Sequence, residues 1–172
     1  SYALDGHECT HNIAYWTGRG YLGLGRSAAG MLDDEDFDRL AGLFPGVAPR
    51  GDFHRVRLVQ RDDAATMFDA EYLSRREAAA EDLMLACRMT RGVDSDLLVR
   101  ASRVIPADEL AAACDRALEL GLATWVPEHG DTHAGPIASV DVIAGCSCAR
   151  LAPTHLGWLD GNVLFELFWD LA

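Results

Sequence analysis

The amino-acid sequence predicts an α+β fold in which a mainly helical C-terminal region carries a β-hairpin wing, the element order of a winged-helix-like module. Three observations carry this. Ser74 opens a capping box with Glu77, and Ala80, Leu83, Met84 and Cys87 follow at helical spacing until Gly92. Pro106 to Leu120 repeats the period, with Leu110, Cys114 and Ala117 inward and Gly121 as its stop. Two apolar runs, Leu122 to Val126 and Ile137 to Ala144, are separated by a loop of Pro, Gly and His and read as the two strands of a hairpin.

Taken in order, the stretch from Ser1 to Gly30 is rich in Gly and aromatics, and Tyr21-Leu22-Gly23-Leu24-Gly25 reads as a short buried strand entering a glycine loop. A lone strand is not stable, so partners upstream of Ser1 are expected, as in the later part of a longer protein. From Asp33 to Gly51 an acidic helical turn gives way to a linker punctuated by Pro45, Gly46, Pro49 and Gly51. Phe53 to Val59 alternates as a strand with Arg55 and Arg57 on one side, forming either a solvated cationic face or an anion site. A short helix is expected from about Asp94 to Arg103. The chain closes on an apolar helix from Thr154 to Leu171, in which Trp158, Leu159, Phe165, Phe168 and Trp169 cover so much of the circumference that it must pack on several sides.

A length of 172 residues suits one domain, or one domain plus a piece of another, and 49% hydrophobic with 24% charged residues is a globular composition. The net charge of -12, dense at Asp33, Asp34, Glu35, Asp36 and Asp38, repels phosphate backbones and anionic membranes. The third helix sets Asp108, Glu109, Asp115 and Glu119 against Arg116, so the winged-helix order lacks the cationic surface that reading DNA requires. No apolar run approaches the roughly 18 residues of a spanning helix, and no charged-then-apolar leader opens the chain, so a cytoplasmic protein without nucleic-acid or membrane partners is expected. The cysteines, Cys9, Cys87, Cys114, Cys146 and Cys148, are odd in number and read as reduced thiols, with Cys87 and Cys114 on apolar helix faces. There is no Gly-x-Ser-x-Gly, no phosphate loop and no His-Glu-x-x-His, so no catalytic residue is assigned.

The segment Glu8-Cys9-Thr10-His11-Asn12-Ile13-Ala14-Tyr15-Trp16, followed by Tyr21-Leu22-Gly23-Leu24-Gly25, resembles a stretch found late in radical S-adenosylmethionine proteins of the oxygen-independent coproporphyrinogen III oxidase type. Downstream, the run from Glu81 through Gly92-Val93-Asp94 resembles that family's helix ending in Leu-Arg-x-x-x-Gly-Val-Asp. Glu119-Leu120-Gly121-Leu122, and Leu151-Ala152-Pro153-Thr154-His155-Leu156-Gly157 through Asn162, resemble its last helix, wing and final helix. The resemblance implies that residues 1–60 are the end of a radical S-adenosylmethionine barrel and its linker. Residues 61–172 would then be the HemN-type C-terminal helical domain.

The His11-Asn12-x-x-Tyr15-Trp16 piece is similar to the heme-binding motif of the family's heme chaperone branch, the HemW-like proteins. Its implied function is heme binding and delivery. Oxidative decarboxylation of coproporphyrinogen III, and a structural lid that binds nothing, are the other readings. The loop Gly25-Arg26-Ser27-Ala28-Ala29-Gly30 departs from the chaperone pattern Gly-Pro-Gly-Ala-His-Ser, with Ala29 at the histidine position. The family's [4Fe-4S] cluster is held by a Cys-x-x-x-Cys-x-x-Cys run that this sequence lacks. Cluster and S-adenosylmethionine are therefore expected only in a longer parent, and the implied partners are heme or porphyrin and the missing N-terminal barrel.

The resemblance makes His11 the ligand of the heme iron, with Asn12, Tyr15 and Trp16 completing the site and the two aromatics walling one porphyrin face. Read without it, Tyr15 and Trp16 are packing residues and His11 caps a turn. Two further ligand sets are present: His7, Cys9 and His11, which alternate and would share one side of an extended chain, and His129, His133, Cys146 and Cys148 around the expected hairpin.

Overall fold

A computed structural model of the protein describes residues 3–4, 6–48, 50–128 and 136–172, and its mixture of helices and small antiparallel sheets is α+β. The chain divides into two compact units, Ser1–Ala78 and Ala79–Ala172. Residue 60, where the sequence places a boundary, ends one strand of a sheet whose next strand follows at residue 68.

The first unit holds α1 (Thr10–Trp16), β1 (Ala29–Asp33), α2 (Asp34–Leu40), β2 (Arg55–Gln60) and β3 (Phe68–Leu73). The strands form an antiparallel sheet in the order β1-β2-β3, with Met31 opposite Arg57 and Arg57 opposite Glu71. Val56, Leu58 and Gln60 of β2 are buried and alternate with half-buried Arg55, Arg57 and Val59, so the expected strand and its period hold. Arg57 is ion-paired with Glu71 on the neighbouring strand, which neutralises the expected cationic face. The acidic run serves α2: Asp33 accepts from the Asp36 amide at 2.7 Å, and Asp34, Glu35 and Asp36 fill the first turn, where the helix dipole favours negative charge.

The core of this unit is Leu32, Phe37, Phe44, Val56 and Leu58. Phe37 stacks on Phe44 with centroids 6.0 Å apart, and Phe53 meets Phe37 and Tyr72 edge-on at 5.8 and 5.2 Å. The expected strand from Tyr21 to Gly25 shrinks to one bridge, Tyr21 to Met31. Gly23 and Gly25 explain why: a Cβ on Gly23 would lie 2.2 Å from the Ala29 carbonyl oxygen, and Gly25 has φ +103°.

The helix α3 (Arg75–Ala86) begins in the first unit and continues into the second. Its capping box is complete, since the Ser74 amide donates to Glu77 at 2.7 Å and the Glu77 amide donates to the Ser74 hydroxyl at 3.2 Å. There follow α4 (Ser95–Ala101), α5 (Ala107–Glu119), β4 (Ala123–Pro127), α6 (Ser139–Ile143), β5 (Ala149–Pro153), α7 (His155–Leu159) and α8 (Gly161–Trp169). The expected hairpin is corrected in its second strand. Residues from Ile137 to Ala144 hold α6, and β4 pairs instead with β5, Trp125 opposite Leu151. Burial of Ser139, Val142 and Ile143 follows helical spacing, and the Ser139 hydroxyl donates to Asp115 of α5 at 2.5 Å. The closing helix is likewise two helices, broken at Asp160, whose φ of -102° and ψ of 38° leave the helical region.

Leu83, Leu98, Ile105, Leu110, Leu151, Leu164 and Phe168 are fully buried in the second unit, together with Cys87 and Cys114. Each large apolar side chain taken from water contributes about 1.5–3 kcal/mol, enough to give this unit its own core. Among the described residues no helix is long and apolar enough to cross a membrane.

Candidate functional site

The helix α1 presents the motif residues. It starts without a side-chain cap at Cys9 and ends in a Schellman turn: the Gly18 amide donates to the Tyr15 carbonyl at 3.2 Å, and the Arg19 amide reaches back to the Ala14 carbonyl at 3.1 Å. Gly18 takes the left-handed conformation this needs, with φ +68°. Spacings of four then set His11 beside Tyr15 along one stripe and Asn12 beside Trp16 along the next. His11 is exposed, whereas Asn12, Tyr15 and Trp16 are half-buried. The Tyr15 ring lies 5.2 Å from that of Tyr21, which holds one aromatic against the following segment.

His11 lies inside a helix while His7 and Cys9 precede it, so the three do not alternate along one extended strand. Cys146 and Cys148 are exposed between α6 and β5, and His129 and His133 lie outside the described residues. Among the described residues no group of three or more His, Cys, Asp or Glu is placed to hold a metal ion.

The downstream motif segments are scaffolding. Gly92 has φ +74°, and a Cβ there would lie 2.1 Å from the Leu151 carbonyl oxygen. Val93 bridges to Leu151 through amide–carbonyl bonds of 3.0 and 2.8 Å, and Asp94 caps α4 by accepting from the Leu97 amide at 2.8 Å. Thr154 does the same for α7, accepting from the Gly157 amide at 3.1 Å while its hydroxyl donates to the Gly121 carbonyl at 2.6 Å. Gly157 lies so close to β4 that a Cβ would come within 1.9 Å of the Leu122 carbonyl oxygen.

A polar cluster not foreseen from sequence forms at the end of β4. Glu128 accepts from the Ser95 hydroxyl at 2.7 Å and the Ser95 amide at 3.2 Å, and pairs with Arg91 at 3.4 Å. Burial pushes its carboxyl up, but the Ser95 bonds and the Arg91 charge outweigh this and hold it below the usual range. The local signal was absent, because Glu128 lies 33 residues from Ser95.

Comparison with known proteins finds similarity to the heme chaperone HemW of Synechocystis sp., with 31% identity over 131 residues. The aligned part is 76% of this chain and 29% of that protein. The chain is thus related in sequence to HemW while spanning less than a third of its length. No family model matches the chain, and no solved structure matches it.

Proposed function

We propose that the chain is the C-terminal region of a radical S-adenosylmethionine protein of heme metabolism, acting in heme binding and delivery with His11 as axial ligand. In this reading residues 1–60 correspond to the end of the barrel and its linker. Residues 61–172 correspond to the HemN-type domain, winged-helix-like in the order α3-α4-α5-β4-α6-β5 with β4 paired to β5. The observation that carries the proposal is the exposed His11 imidazole on a helix whose neighbouring aromatics are half-buried, in a chain similar to a heme chaperone.

The donor set suits heme. A porphyrin supplies four nitrogens to its iron, so one protein imidazole completes a site where a bare metal ion would demand three or four side chains. A [4Fe-4S] cluster does not fit the described cysteines. The sequence holds no Cys-x-x-x-Cys-x-x-Cys run, and Cys87 and Cys114 are locked in the core. No step through a cluster or S-adenosylmethionine is therefore assigned to this chain, and both belong to the proposed parent.

The test is a hemin titration followed by absorbance. A shifted Soret band is expected in the wild type and lost in His11→Ala. It should persist in His7→Ala and His155→Ala, which remove exposed imidazoles outside the motif. Trp16→Ala should weaken binding without abolishing it, since stacking adds only about 0.5–1.5 kcal/mol beyond area burial. An equal Soret shift in wild type and His11→Ala rejects the assignment.

A further inference from the structure

We infer that Arg19 is the propionate anchor of this heme site, a reading that rests on the proposal above. Hemin carries two carboxylates along one edge, and a chain of net charge -12 repels them unless a cation stands nearby. The chain contains no lysine, so that cation is an arginine. In the first unit most arginines are already engaged: Arg39 with Asp36, Arg57 with Glu71 and Arg61 with Asp69, while Arg55 and Arg76 have partners as well. Arg19 is exposed and has no side-chain partner among the described residues.

Its position is set by the Schellman turn that closes α1. The Arg19 amide is held 3.1 Å from the Ala14 carbonyl, which folds the chain back onto the helix. Ala14 is three residues beyond His11, about 4.5 Å along the axis at a rise of about 1.5 Å per residue. An axial ligand and a guanidinium are thereby carried on one helix and its cap, with Tyr15 between them in sequence. A flat macrocycle carries its iron at the centre and its carboxylates on the edge, and the planar guanidinium is suited to carboxylate. Arg26 is equally exposed, but it sits in the turn from Gly25 to Ala28, where the next residue's amide donates to the Gln60 carbonyl at 2.8 Å. It removes the same charge without the tie to α1 and serves as the control.

Hemin and hemin dimethyl ester, whose propionates are neutral, would be titrated into wild type, Arg19→Gln, Arg26→Gln and His11→Ala. Arg19→Gln should bind hemin about fivefold more weakly, the upper range for an exposed ion pair, with the Soret maximum unmoved. The loss should shrink as salt rises and vanish with the ester. Arg26→Gln should stay within roughly twofold of wild type. Equal hemin affinity in wild type and Arg19→Gln overturns the inference, as does an equal loss with hemin and ester, which would mark a packing role. If His11→Ala keeps the wild-type Soret shift, the ligand assignment fails while the Arg19 comparison still reads out separately. Absence of hemin binding overturns both.

Discussion

Position 92 is constrained to glycine by space. A side chain at Gly92 would meet a carbonyl oxygen 2.1 Å away and would also have to adopt φ +74°. Neither strain is relieved by moving a flexible group, because the obstacle is backbone. The buried thiols are constrained in the opposite sense, by what surrounds them. Burial pushes the Cys114 thiol up to about 12 and the Cys87 thiol higher still, with the neighbouring Asp115 and Cys114 adding to the respective effects. The folded state thus favours the neutral thiol. That contribution is complete below the ordinary thiol pKa of about 8.5 and is lost as pH rises towards 12. At pH 8, a disulfide-forming thiol reagent should label Cys9, Cys146 and Cys148 quickly, and Cys87 and Cys114 only on unfolding. Fast reaction of all five would show that the core of the second unit opens readily.

At the scale of elements, helix starts are the best-built features. Ser74 with Glu77, Asp33, Asp94 and Thr154 each satisfy an otherwise unpaired amide of a first turn. The Ser74 amide, then its hydroxyl, hold the Glu77 carboxyl below its ordinary range. A depressed carboxylate stabilises the fold above its unfolded pKa and loses that contribution as pH falls. Ser74→Ala should cost about 1 kcal/mol in urea unfolding near neutral pH. The gap to wild type should narrow as pH falls below the ordinary glutamate value of about 4.3. A gap that does not change with pH would show that the Ser74 hydroxyl does not act on the Glu77 carboxylate.

Across the whole molecule the excess of acidic residues disfavours contact with phosphate. Every phosphate contact would be made against a net charge of -12, and α5 offers Arg116 already paired with Glu119. We therefore propose that the chain does not bind DNA. In a mobility-shift assay at low salt, where attraction is strongest, no complex with duplex DNA is expected at micromolar protein. A discrete shifted band under those conditions would reveal a basic face that the described arginines do not form.

The sequence by itself determined the elements whose signals are local. The capping box at Ser74 and the period of Leu110, Cys114 and Ala117 depend on neighbours within about one or two helical turns, whereas the helix opened at Ser74 ends at Ala86, short of the expected stop at Gly92. The His11, Asn12, Tyr15, Trp16 set was legible only through the family resemblance, and that these residues lie on one helix at a turn's spacing is seen only in the structure. Strand pairing was decided only in three dimensions. The run Phe68 to Leu73 alternates but was not read as a strand, and nothing near β4 in the chain announces that its partner begins at Ala149. In the segment Ile137 to Ala144, short apolar runs fit either period, and the choice of helix comes with the Ser139–Asp115 bond to α5, 24 residues away. The exposure of His11 and the lack of a side-chain partner for Arg19 are tertiary facts of the same kind. Both depend on where the rest of the first unit places its carboxylates and aromatics, and that placement has no signature within either residue's own neighbourhood.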